Sequence, residues 1–173
     1  MNVAEFRNGG AFCRSARGSG NNAATAGGSG DATEVNGAWQ SRRSATKGIA
    51  LSAKLIVSFT AALAQGATLS FTGNFQDALD AAGAGAADYP VANNTVGPLV
   101  AATGGTGGST ETGTFEMDID LSGAREFIRA QVTPDLSAAN TDTAAWHMDY
   151  VLFGDYLEPT TKSSTNLASA DSI

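Results

Sequence analysis

Residues 49–63 read IALSAKLIVSFTAAL, and this stretch decides the fold class. Every odd position from Ile49 to Leu63 is apolar, whereas four of the even positions carry a polar side chain, namely Ser52, Lys54, Ser58 and Thr60. Alternation with a period of two predicts a β-strand that buries one face. Gln65-Gly66 predicts a turn, and the alternation then resumes at Leu69, Phe71 and Phe75. We therefore expect the two stretches to form a hairpin.

Three further stretches outward from this one alternate in the same way. They are residues 115–121, residues 127–133 ending at Pro134, and residues 144–153, where Trp146, Met148, Tyr150 and Leu152 share one face. No segment has a convincing helical periodicity. Short alternating strands joined by Gly-rich connections predict an all-β fold, an antiparallel β-sandwich or jelly roll.

The composition divides the 173 residues into three parts. Residues 1–47 are rich in Gly and Ala and predict a long extended, basic N-terminal arm, because such a segment buries little apolar surface. Residues 48–158 predict the sandwich body, in which the low-complexity residues 78–112 form a long loop. Residues 159–173 predict a C-terminal tail.

The charges are unevenly distributed along the chain. The net charge is −7, yet residues 1–54 hold seven of the ten Lys and Arg residues and only three acids. The first 54 residues therefore carry +4 and the remainder −11. A basic arm on an acidic body predicts that the arm docks on an acidic partner.

Several functional classes receive no support from the residues. No apolar run is long enough to cross a membrane, and the N-terminus has no hydrophobic core of a secretory signal. One cysteine, Cys13, and one histidine, His147, argue against zinc sites. Glu116, Asp118 and Asp120 are expected on a solvated strand face, and no phosphate-binding glycine motif occurs. We expect no enzyme, cofactor or metal, and no nucleic-acid or membrane partner.

Two segments resemble virion proteins of tailed bacteriophages. They are residues 52–76, which include SAKL and AQGATL, and residues 120–142, which include DLSGAREFIRAQ and TPDLS. The similarity spans roughly residues 50–155 and is closest to small proteins that decorate or cement the capsid. It implies a structural protein of the virion, on the capsid surface and made in the host cytoplasm. It would bridge subunits of the major capsid protein and contact copies of itself in an icosahedral lattice as a homo-oligomer.

Under this hypothesis the N-terminal arm supplies the contacts. Its arginines would pair with capsid carboxylates and its aromatic residues would be apolar anchors; the candidates are Phe6, Phe12, Arg14, Arg17, Trp39, Arg42 and Arg43. Deletion of residues 2–38 should then abolish capsid binding and leave the body folded. The alternative function is a tail or surface-adhesin sandwich that recognises a glycan or receptor, with an aromatic platform near residues 78–112.

Overall fold

A computed structural model describes residues 13–44, 48–90, 94–137 and 141–154. Within these ranges the chain forms strands and no helix. The strands are β1 (Cys13–Arg17), β2 (Asn22–Thr25), β3 (Val35–Asn36), β4 (Gln40–Ser41), β5 (Arg43–Ser44), β6 (Gly48–Ile49), β7 (Ser52–Leu63), β8 (Thr68–Ala78), β9 (Ala87–Tyr89), β10 (Thr95–Thr103), β11 (Ser109–Asp120), β12 (Phe127–Leu136) and β13 (Thr143–Phe153).

The strands form two antiparallel sheets and a small ribbon of β5 and β6. In the first sheet β13 and β7 lie between β11 at one edge and β1 and β2 at the other. In the second, β8 and β12 lie between β9 and β10 at one edge and β3 and β4 at the other. If each pair of strands sharing an edge counts as one position, the orders are 1-8-3-6 and 2-7-4-5. This is the connectivity of a jelly roll, so the expected fold class is confirmed.

The alternation in residues 49–63 forms β7, but β7 and β8 are not a hairpin. β7 pairs with β11 and β13, whereas β8 pairs with β10 and β12 in the opposite sheet. The turn between them includes Gly66 at φ +76° and carries the chain from one sheet to the other. The reason is that both strands have an apolar face, and crossing between sheets lets these faces meet in the core.

Aromatic rings fill the centre of this core. Phe71 on β8 is completely buried, and its ring centroid lies 5.7 Å from that of Phe59, 5.6 Å from Phe115 and 5.8 Å from Trp146. Phe59, Phe115 and Trp146 belong to β7, β11 and β13 of the first sheet. One side chain of the second sheet thus contacts three strands of the first.

β12 does not end before Pro134, as the sequence predicts, but continues to Leu136. The carbonyl of Pro134 accepts a hydrogen bond from the amide of Ala32, on the side of β12 away from β8. The nitrogen of Pro134, which carries no hydrogen, therefore points away from β8, to the side where β3 pairs only with Gln131 and Val132. No bond between β12 and β8 is lost, and the strand continues.

Residues 78–112 do not form one long loop. They include β9, β10 and the first residues of β11, with residues 91–93 outside the described part. The glycines suggested a loop, but Gly83, Gly97 and Gly107 stand at positive φ in turns or at an irregularity within β10. Between these glycines, β9 and β10 pair with β8.

The described part of the N-terminal segment is extended but is not a separate arm. Residues 13–44 supply β1 and β2, which pair with β13, and β3 and β4, which pair with β12. Backbone pairing requires no large side chains, so a segment of small residues adds to a sheet edge although its composition indicates mobility. The predicted tail, residues 159–173, lies outside the described residues.

Polar side chains hold the turns at both ends of the sandwich by bonding to backbone groups. At one end, Asp31 accepts hydrogen bonds from the amides of Gly27 and Leu136, at 2.7 and 2.9 Å. At the other, Asp77 accepts from the Arg125 amide and guanidinium, each at 2.9 Å. These bonds satisfy backbone groups that the strand ladders leave unpaired.

Deletion of residues 2–38 should therefore unfold the protein rather than leave an intact body. The deletion removes β1, β2 and β3 and exposes the edges of β13 and β12. We expect the truncated chain to show no cooperative transition in urea followed by circular dichroism. A deletion of residues 2–12 keeps every described strand and is the control. A cooperative transition of the shorter body would contradict this assignment.

Substitution of Tyr150 by Phe should lower the free energy of unfolding by about 1–3 kcal/mol, the cost of a buried donor without a partner. The Tyr150 hydroxyl is buried and accepts a hydrogen bond from the amide of Ala130 at 2.7 Å. Urea titration at pH 7 measures the loss. Tyr89→Phe is the control, because the Tyr89 hydroxyl accepts a longer bond, 3.2 Å, from the exposed Gly123 amide.

Comparison of the wild type with Tyr150→Phe also gives a prediction for alkaline pH. Burial raises the pKa of Tyr150 above its ordinary value. The folded state thus favours the neutral phenol, and this contribution is complete below the unfolded pKa of about 10 and is lost as the pH rises above it. The wild type should lose more stability than Tyr150→Phe between pH 9 and 11. Equal losses would contradict the prediction.

Candidate functional site

The described candidate residues lie along one side of the sandwich, where β1 of the first sheet meets β4 of the second. The amide of Ala38 donates to the carbonyl of Gly18 at 2.6 Å, and the Gln40 Nε2 donates to the carbonyl of Arg17 at 3.2 Å. We call β1, β4 and the adjoining Arg43 the β1–β4 side. Phe6 and Phe12 lie outside the described residues.

Arg42 is not a surface contact, contrary to the expectation from the sequence. Only 4% of the residue is exposed. Its guanidinium donates to the carbonyl oxygens of Ala50, Ala124 and Arg125, and burial lowers the pKa of the group. Arg42 therefore ties the connection after β4 to the turn between β11 and β12, and its role is structural.

Arg14 and Trp39 are half-buried and make contacts within the chain. The Arg14 Nη2 donates to the carbonyl of Ser41, which links β1 to β4. The Trp39 ring lies under the guanidinium of Arg129, with 4.6 Å between the Arg129 Cζ and the ring centroid. Its edge packs so closely on Gly83 that a Cβ there would lie 2.6 Å from Nε1. These contacts orient both side chains and leave only part of each for a partner.

Arg17 and Arg43 are the two candidates that the fold exposes. Arg17 donates from Nε to the carbonyl of Ser19 at 2.9 Å, and Arg43 lies 3.6 Å from a carboxylate oxygen of Glu126. The Arg43 side chain is 67% exposed. The 3.6 Å contact of Arg43 is weak because it is long and exposed, and Arg17 is exposed as well. Both guanidinium groups are therefore accessible to a carboxylate of another molecule.

The opposite side of the sandwich has a different chemistry. There β11 lies next to β10, which shares the edge of the second sheet with β9, and we call β10 and β11 the β10–β11 side. Five consecutive residues of β10, from Val96 to Val100, are exposed, and they include Leu99 and Pro98. The sequence contained a signal for this surface: residues 89–110 carry no charged side chain and include a run of apolar residues. Because residues 78–112 were predicted to form a loop, the exposed edge strand was not predicted.

β11 presents carboxylates on the outer face of the first sheet, as the alternation predicts. Lys54 Nζ lies 2.9 Å from Glu116 Oε2 and 3.2 Å from Asp118 Oδ1. The bonds to Glu116 and Asp118 raise the pKa of Lys54. One cation faces two acids here, and Asp120 adds a third acid at the end of the strand, so this face is acidic.

The outer face of the second sheet carries a connected set of polar side chains. Gln76 accepts from Arg129 at 2.8 Å and donates to Asp88 at 2.9 Å. Asn74 donates to Gln131 at 3.0 Å, and Gln131 donates in turn to Glu34 and Asn36. Arg129, a member of this set, also contacts the indole ring of Trp39.

Other titratable groups form no chemical centre in the described part of the chain. His147 Nε2 lies 3.3 Å from Asp149 Oδ2 with both side chains 44% exposed, which is a surface pair. No three His, Cys, Asp or Glu residues among those described are placed to hold a metal ion. Over the same residues no helix has the length and apolar character to span a membrane.

No protein-family model matches the chain, and no curated protein matches it either. Two solved structures that match are virus structures. In "Structure of infectious bursal disease virus Gx strain" the matching chain is 12% identical with a TM-score of 0.40, over 85% of this chain and 34% of that one. In the T=1 particles derived from infectious bursal virus it is 13% identical with a TM-score of 0.40, over 86% and 32%.

This chain spans about a third of the length of those two chains. At a TM-score of 0.40 the likeness carries no argument about function, and the jelly-roll assignment rests on the strand order. These two virus structures do not bear specifically on the predicted resemblance to phage decoration proteins. The described parts of the stretches on which that prediction rests, residues 52–76 and 120–142, include β7, β8 and β12, which are central strands.

Substitution of Arg42 and Arg43 by alanine should separate a structural role from a surface role. Arg42→Ala removes the donor to three carbonyl groups, and we expect a loss of about 2–4 kcal/mol in the free energy of unfolding. Arg43→Ala removes one exposed 3.6 Å contact and should cost less than about 0.5 kcal/mol. Urea titration of the two neighbouring variants makes the comparison. Equal losses would show that Arg42 does not anchor the turn.

Proposed function

We propose that this protein is a structural component of a virus particle that decorates the capsid and bridges subunits of the major capsid protein. The strand order carries the proposal, because the double-sheet jelly roll is a fold of viral capsid domains. Lectins and cupins use it as well, so the surface must distinguish them. On this reading the protein resides on the capsid surface after synthesis in the host cytoplasm.

The β1–β4 side suits a contact with the capsid. It exposes Arg17 and Arg43 while Arg14 and Arg42 hold the underlying strands together. The chain as a whole carries −7, so Arg17 and Arg43 are two exposed cations on an acidic protein. Carboxylates on the major capsid protein are the partner groups that match them.

Co-sedimentation with purified capsids that lack the protein tests the proposal. We expect saturable binding at a fixed ratio to the major capsid protein. The double substitution Arg17→Glu and Arg43→Glu should weaken binding about tenfold or more, because it replaces attraction by repulsion at two exposed positions. Arg17→Lys with Arg43→Lys is the control, since it retains both charges. An increase from 0.1 to 0.5 M NaCl should weaken wild-type binding as well.

Two results would contradict the proposal. Absence of saturable capsid binding would remove the decoration role, and unchanged binding by the Glu variant would remove the β1–β4 side as the contact. Each variant must show the wild-type urea midpoint, so that a loss of binding reports on the surface. We expect the Arg17 and Arg43 variants to meet this condition because both residues are exposed.

The second candidate function is glycan recognition by a tail or adhesin module. It is favoured by the polar set on the second sheet, where amides and carboxylates lie beside an aromatic ring, as in many sugar sites. Arg129 covers one face of Trp39, however, and Gly83 packs on its edge. The ring is therefore not an open platform. A screen against immobilised glycans, with Arg129→Ala and Gln76→Ala as variants, tests this function.

A further inference from the structure

One edge of the first sheet is a long, regular strand with a free side. β11 has twelve residues, and its register with β7 runs from Ser109 to Asp120 without a shift. Among the described strands β11 pairs with β7 only, because the adjacent β10 pairs with β8. The backbone groups on the other side of β11 therefore have no strand partner in the described part of the chain. We call this side the β11 edge, and such an edge is a template for another strand.

A row of carboxylates lies along the β11 edge. Glu116, Asp118 and Asp120 alternate with buried residues, and the first two side chains are 46% and 74% exposed. β7 offers them one cation, Lys54, which lies opposite Asp118. Three acids and one cation leave two negative charges uncompensated. Because charged side chains protect edge strands against uncontrolled pairing, these acids select the strands that the β11 edge accepts.

Lys54 shows how a cation on a neighbouring strand satisfies these acids. Its Nζ lies 2.9 Å from Glu116 Oε2 and 3.2 Å from Asp118 Oδ1. A strand added at the β11 edge would lie at the ordinary strand spacing of about 4.8 Å, as β7 does on the other side. A lysine or arginine on that strand would therefore reach the same carboxylates from the opposite direction, as a cross-strand pair of opposite charge.

The charges of this chain disfavour its own segments as occupants. β11 carries four acids and no Lys or Arg, so the β11 of a second copy paired along this edge would add negative charge. Residues 155–173 carry three acids and one lysine, and residues 1–12 carry one acid and one arginine. Neither of these segments has cations at alternate positions. A complementary strand must therefore come from a different protein.

We propose that the β11 edge binds an extended segment of a partner protein by strand addition, and that this segment carries lysine or arginine at alternate positions. The backbone of the segment would continue the hydrogen-bond ladder, and its basic side chains would lie beside Glu116, Asp118 and Asp120. The inference goes beyond the proposed function, because the partner groups here are cations whereas Arg17 and Arg43 attract carboxylates. Its test requires no capsid.

Fluorescence anisotropy of a short labelled peptide, in which lysine alternates with threonine, measures binding to the full chain. We expect saturable binding that Glu116→Gln with Asp118→Asn weakens about tenfold or more, because the side chains lose their charge and keep their shape. Asp135→Asn with Asp149→Asn is the matched control. It changes the net charge by the same amount at two positions outside β11, and should bind the peptide as the wild type does.

Changes in the peptide separate strand addition from simple attraction between charges. A peptide with the same lysines and N-methyl groups on its backbone nitrogens keeps its charge and cannot donate hydrogen bonds to β11, so its binding should be lost. Hydrogen exchange of the β11 amides should slow when the unmodified peptide binds, whereas exchange in β13, a central strand, should not change. Neither measurement alters the protein, so neither depends on the stability of a variant.

Several results would overturn the inference. Absence of peptide binding would do so, and equal binding of the N-methylated peptide would show that charge alone holds it. Unchanged exchange in β11 would place the peptide elsewhere. Binding that survives Glu116→Gln with Asp118→Asn, or that falls equally in the matched control, would remove these acids as the determinant. A dimer that the peptide dissociates would show that a second copy occupies the β11 edge.

Discussion

The contact of Phe71 with three rings of the facing sheet is the interaction on which the rest of the structure depends. Phe59, Phe115 and Trp146 approach this ring from β7, β11 and β13, with centroids less than 6 Å away. Much of the remaining core consists of alanine and short aliphatic side chains. Aromatic rings bury more area than any of these, so the sheets are held together where the four rings meet. The edge strands pair onto the central strands that carry three of these rings, or onto their neighbours in the sheets.

Polar side chains add hydrogen bonds that order the turns of a protein whose core contains many small residues. Asp31 and Asp77 bind backbone amides in turns at the two ends, and Arg42 binds three carbonyl groups where the β11–β12 turn meets the connection after β4. The Tyr150 hydroxyl extends the same principle into the interior, because it binds the amide of Ala130. Arg42, which the sequence predicts as a binding residue, is thus used to order a turn. This explains why the glycine-rich segments take defined paths.

The two sides of the sandwich differ in their surface chemistry. The β1–β4 side exposes Arg17 and Arg43, and the β10–β11 side exposes uncharged apolar residues of β10. Exposed guanidinium groups attract carboxylates and that attraction is weakened by salt, whereas uncharged apolar side chains offer no charge to a partner.

The sequence alone determined the five long alternating strands β7, β8, β11, β12 and β13, the all-β class and the buried faces of those strands, because alternation with a period of two is a local property that side-chain burial enforces. Phe71, Trp146 and Tyr150 are all buried as their positions in the alternation indicate. The tertiary structure alone decided which strands pair, as shown by β7 and β8, which face each other across the core. It also decided that Arg42 is buried while Arg43 is exposed, and that residues 95–103 form an edge strand. The pairing of strands, the burial of a charged group and the position of a strand at an edge depend on contacts between residues far apart in the chain, and local alternation does not specify them.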